Sequence, residues 1–141
     1  MPEHNLNDTI SLFIFKSNAR GMQYGIGTYI RELTQSLLQI PYINIYFVSY
    51  KNNDYKEFFV KPVSERLCEV NLPGPLFPVT QNNSFEKKYA ASVVRLLSDI
   101  IPQKGKVIFQ FNYIDDLPIL IKIKECFGFP VISIVHFAQW Q

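Results

Sequence analysis

The apolar positions of this chain fall into two alternating spacings. Ile10 to Lys16 reads I-S-L-F-I-F-K, an almost unbroken apolar run rich in strand formers. Such a run suits a strand covered on both faces, as in a parallel sheet. From Ile26 the spacing changes: Ile26, Ile30, Leu33, Leu37 and Ile40 line one side of a helix, with Arg31, Glu32, Gln35 and Gln39 on the other. Pro41 is expected to stop it. Ile43 to Tyr50 is a second strand, closed by the turn cluster Lys51-Asn52-Asn53-Asp54.

Residues 57–63 and 66–72 resemble short strands, but Pro62, Pro73, Pro75 and Pro78 interrupt the stretch. It is read as an irregular excursion with one sheet strand near Leu67 to Leu72. Asn83 or Ser84 caps a helix to about Ile101 with Tyr89, Val93, Leu96, Leu97 and Ile100 inward, ended by Pro102 and Gly105. Lys106 to Asn112 is a strand. Asp115 or Asp116 caps a third helix, Pro118 is tolerated in its first turn, and Gly128 ends it. Pro130 to Phe137 is the last strand. The order predicts an α/β, Rossmann-like three-layer domain with a mostly parallel sheet.

A length of 141 residues fits one domain, with residues 1–9 read as a flexible polar tail. The apolar share of 48% is that of an ordinary globular protein, and the 15% aromatic share supplies bulky packing groups or stacking surfaces. Fourteen basic and 12 acidic residues leave a net charge of +2 with no long run of one sign, so the basic stripe of a nucleic-acid binder is missing. Cys68 and Cys126 are too few for a disulfide framework or a zinc site, and Cys126 is expected to be a buried, reduced thiol. The N-terminus is polar and acidic, unlike a secretory signal, and no apolar run approaches the roughly 20 residues that span a bilayer. A cytoplasmic location follows as the expectation, with peripheral contact at the inner face of a membrane left open.

The chemistry is expected at the carboxyl ends of the parallel strands. Four segments reach that end: Ser17 to Gly27, the end of the second strand near Tyr50, Asn112 to Asp116, and His136-Phe137. Gly21, Gly25 and Gly27 permit close backbone approach, and the first N–H groups of the next helix can meet a phosphate or a hydroxyl. A dinucleotide fingerprint would need a third glycine or alanine where Ile30 stands, and an acid where Ser49-Tyr50 close the second strand. A triphosphatase loop would need a lysine before Thr28. The glycines can also serve simply as a turn and a helix start. Asp115 and Asp116 are adjacent, so their side chains diverge; a capping role explains them more simply than acid/base work. No Ser/His/Asp, Cys/His or metal-ligand set appears.

The stretch G-I-G-T-Y-I-R-E-L after a strand and a small-residue loop resembles the start of the family-4 retaining glycosyltransferases of GT-B fold. V-I-S-I-V-H-F, with Phe137 in place of the usual acidic or polar residue, is similar to the segment in which a histidine ends a strand of that family's N-terminal domain. The resemblance covers residues 10 to 40 and 106 to 140. It implies the acceptor-side, N-terminal half of a GT-B enzyme that moves a hexosyl-type sugar from a nucleotide-sugar donor to a glycan or lipid-linked acceptor. It implies no cofactor. Gly25 and Gly27 would be close-approach positions, Tyr24 and Ile26 would shape the acceptor side, and His136 would hydrogen-bond the donor sugar; a strand-end histidine satisfied by backbone is the alternative. His4 lies in the polar tail. The family's glutamate motif is absent, and the chain ends four residues past its last apolar run, so it is expected to be part of a longer protein and inactive alone. The competing class is a non-catalytic binding or regulatory module of flavodoxin or receiver type, although Ser17-Asn18-Ala19-Arg20 lacks a receiver's acids.

Overall fold

A computed structural model describes residues 8–17, 25–52, 57–74, 83–112 and 117–134. The elements run β1 (Ile10–Ser17), α1 (Gly25–Leu37), β2 (Ile43–Asn52), β3 (Phe59–Ser64), β4 (Leu67–Pro73), α2 (Asn83–Ser98), β5 (Lys106–Phe111), α3 (Leu117–Phe127) and β6 (Val131–Ser133). They form the expected α/β arrangement, one six-stranded sheet of order β3-β4-β2-β1-β5-β6. All pairings are parallel except β3 with β4. Counted among the parallel strands alone, the order is 3-2-1-4-5. That matches the first five strands of the Rossmann order 3-2-1-4-5-6; flavodoxin-like sheets run 2-1-3-4-5. It reverses between β1 and β5.

Strand alternation divides the core into two layers. Leu12 and Ile14 of β1, Ile43 and Ile45 of β2 and Ile30 of α1 form one buried cluster, with Ile108 of β5 packed against it. Phe13, Phe15, Val48, Tyr50, Phe109 and Phe111 point the other way, beneath Tyr89, Ala90, Val93 and Leu97 of α2 and Ile119 and Ile123 of α3. The second layer absorbs much of the aromatic content. Phe13 stacks on Tyr46 at 4.4 Å and on Phe109 at 5.1 Å, and Phe15 stacks on Phe111 at 4.4 Å. Burial pushes the Tyr46 phenol above its ordinary value, and the neighbouring Cys68 adds to the rise.

Four details depart from the sequence expectation. The stretch read as irregular holds two strands joined at Glu65-Arg66 into an antiparallel hairpin. β3 is the sheet edge, where a proline's missing N–H is tolerated, so Pro62 pairs with Cys68 and the register then shifts by one residue. α1 stops at Leu37, short of Ile40. Pro41 has no N–H to continue the ladder, and the last bonds tighten to Gln39 N–H with Ser36 and Ile40 N–H with Leu37. Within α1, Thr34 rather than Leu33 is fully buried, its hydroxyl donating to the Ile30 carbonyl at 2.7 Å. Cys126 is exposed rather than buried. Phe127 fills the inward space at the end of α3, stacking on Phe109 at 6.2 Å and on Phe129 at 5.9 Å. Gly128 ends α3 as expected, at a φ of +69° that only glycine adopts freely, its N–H donating to Lys124.

Beyond the β4–β2 ladder, one side chain ties the hairpin to the rest of the sheet. Arg66 donates to the carbonyls of Ile40 at 2.6 Å and Ile43 at 3.0 Å, and to that of Leu38. A planar guanidinium suits three converging carbonyls, whereas lysine offers a single point charge. Arg66→Ala is expected to lower unfolding free energy by about 2–4 kcal/mol, because charge-assisted bonds contribute about 1.5–3 kcal/mol each and the group is partly solvated. Urea titration of the two proteins checks this; a loss under about 0.5 kcal/mol would mean that solvent replaces the clamp.

Candidate functional site

β1 and β2 are parallel, so α1 must run back over the sheet, and its N-terminus lies at the carboxyl end of β1. Gly25 is its first residue and Gly27, in its first turn, is buried. The next inward positions are Ile30 and Thr34. A buried glycine in a helix that must pack on a sheet allows close approach of helix and strand backbones. The first turn holds no acidic residue, so no side-chain carboxylate within that turn offsets the positive end of the helix dipole.

Ile26 lies in α1, but its side chain, like Tyr24, Gly21 and His136, is outside the described residues. Asp115, Asp116 and Phe137 are outside them as well. The structure therefore brings Gly25 and Gly27 to the carboxyl end of the sheet. Tyr50 does not face that crevice: it is buried in the aromatic layer, 6.1 Å from Phe15.

Of three polar residues at this end, Gln110 and Lys16 had no place in the site expected from the sequence, and Asn112 entered it only as the start of the segment to Asp116. Gln110 is 4% exposed and Asn112 is 2% exposed. Gln110 stands between Ile108, which joins the α1-side cluster, and the aromatic residues Phe109 and Phe111, which join the other. Alternation therefore turns it to the α1 side. Its Nε2 donates to Asn112 Oδ1 at 3.3 Å, and Asn112 Nδ2 donates to the Phe15 carbonyl at 3.2 Å, linking β5 to β1 at the reversal of strand order. Lys16 lies two residues beyond Ile14, the register partner of Gln110, and its ammonium sits 5.7 Å above the Phe47 ring. The signal was present as Gln110 breaking the apolar alternation of V-I-F-Q-F, but a polar residue in a strand does not say which neighbours it meets.

The end of the sheet thus offers a cation, a helix N-terminus and a buried amide pair. This combination can attract an anionic or hydroxyl-rich ligand; among the described residues it includes no nucleophile–base pair. Among the described residues, no group of His, Cys, Asp and Glu could hold a metal ion, and no helix is long and apolar enough to cross a membrane. Comparison with protein-family models and with curated proteins finds no match to the chain.

Proposed function

We propose that this chain is the N-terminal, acceptor-side domain of a GT-B glycosyltransferase that moves a hexosyl-type sugar from a nucleotide-sugar donor to a glycan or lipid-linked acceptor. The observation that carries the reading is the glycine-bearing start of α1 at the carboxyl end of the central strand, in a sheet of Rossmann order. Beside it stands the resemblance of G-I-G-T-Y-I-R-E-L to the family-4 enzymes. The strand order also favours this reading over the flavodoxin-like alternative.

In this reading, Gly25 and Gly27 let the donor phosphates approach the helix N-terminus, where free N–H groups and Lys16 favour negative charge. Tyr24 and Ile26 shape the acceptor side, and His136 hydrogen-bonds the transferred sugar. A second, carboxy-terminal domain supplies the nucleotide site and the glutamate motif. The work would take place in the cytoplasm, with peripheral contact at the inner membrane face where the acceptor is lipid-linked.

The test is transfer from a panel of radiolabelled nucleotide-sugars into glycan and lipid extracts. The parent protein is expected to label an acceptor, and the 141-residue chain alone is expected to show no turnover. Turnover by the chain alone would overturn the division of the active site. Failure of the parent protein with every donor would remove the transferase reading.

A further inference from the structure

Gln110 is an amide set in an apolar row. Its register partners are Ile14 on β1 and Ile132 on β6, and its single side-chain hydrogen bond among the described residues runs from Nε2 to Asn112. Its carbonyl oxygen accepts none among the described residues. Buried amide acceptors are nearly always paired, because desolvation without a replacement bond costs stability; an exception at this depth requires a reason.

Its position supplies one. Gln110 lies at the carboxyl end of the sheet, where the order reverses between β1 and β5, and doubly wound sheets bind ligands at that reversal. A carbonyl oxygen has no proton to give, so it selects a ligand group that donates one. On the β6 side, Ile132 remains 45% exposed on the same face, an apolar surface beside the acceptor. One fixed acceptor next to an aliphatic surface suits a sugar ring, which presents C–H groups and hydroxyls side by side.

We propose that the Gln110 side-chain carbonyl is a specificity-determining contact that accepts a hydrogen bond from a ring hydroxyl of a sugar ligand. Asn112, tied to the Phe15 carbonyl, fixes the orientation of the amide. The choice of a sugar as ligand rests on the glycosyltransferase reading.

The experiment titrates the isotopically labelled 141-residue chain with methyl glycopyranosides of glucose, galactose, mannose and N-acetylglucosamine, following the Gln110 side-chain amide signals by NMR. Those signals are assigned by through-bond correlation to the Gln110 backbone amide and checked by their absence in Gln110→Met. At least one glycoside is expected to shift them, and its dissociation constant is expected to rise about tenfold or more in Gln110→Met. The melting temperature of that variant is expected to change little, since the carbonyl that accepts nothing among the described residues is removed but Asn112 Oδ1 also loses its Gln110 donor; a purely structural glutamine would lower stability and leave affinity alone. If Gln110→Met does not fold, the monodeoxy forms of the bound glycoside carry the test: one must lose about tenfold in affinity and leave the Gln110 signals unmoved.

The inference is overturned if no glycoside perturbs Gln110, or if the variant and every deoxy form bind undiminished. Transfer by the parent protein without any glycoside reaching Gln110 would sink this contact and leave the transferase reading standing. Binding through Gln110 without transfer from any donor would do the reverse.

Discussion

Phe15→Ala is expected to lower unfolding free energy by about 3–5 kcal/mol, the usual cost of emptying a buried aromatic site. Phe15 is fully buried in the central strand, stacked on Phe111 at 4.4 Å and tilted against Tyr50 and Phe109 at 6.1 Å each. Its ring therefore lies among rings from both neighbouring strands, and they cannot all close over the space it leaves. Domain stabilities are about 5–15 kcal/mol, so one substitution removes a large share. The thermal midpoint should fall by roughly 10–15 °C. Phe15→Leu keeps most of the volume and should cost far less. Circular dichroism melts of the three proteins decide it; equal midpoints for Phe15→Ala and the parent would mean that the aromatic layer is not packed as described.

The second large effect concerns activity. In the parent protein, Gly27→Leu is expected to reduce kcat/KM by at least about 100-fold, because a displaced helix start misplaces every group that approaches it. Gly27 is buried in the first turn, so the larger side chain has no solvent-exposed space to enter and must displace its neighbours. A melting curve must accompany the kinetics, and Gly27→Ala serves as the milder control, since alanine favours a helix by up to about 1 kcal/mol over glycine. Unchanged turnover in a folded Gly27→Leu protein would refute the role given to the helix start.

Much of the fold was legible because burial on two faces leaves a plain mark. The run from Ile10 to Lys16 is apolar at odd and even positions, and the structure sends those positions into separate layers. The helix faces were legible for the same reason, as with Tyr89, Val93 and Leu97. What failed depended on location within the sheet. Pro62 argues against a strand everywhere except at an edge, and nothing local says that residues 59–64 form one. Tyr50 illustrates the same limit: its place in the chain puts it near the crevice, while strand parity turns it under Phe15.

The site was less legible than the fold. The glycines could be read from the sequence because their backbone freedom is intrinsic to the residue. Gln110 and Asn112 gain meaning only from their neighbours, which strand order supplies: β5 must lie beside β1 before Asn112 can reach the Phe15 carbonyl, 97 residues away in sequence. Long-range pairing of this kind has no local signature.

The Arg66 clamp has a further consequence for how the molecule opens. One guanidinium in the hairpin turn holds carbonyls from the end of α1 and the start of β2, 23 to 28 residues earlier in the chain. The edge hairpin therefore cannot peel away while the α1–β2 connection stays closed. β3 can still fray from β4 alone, but detaching β4 from β2 must also break the clamp, so amide exchange in β4 is tied to the release of residues 38–43.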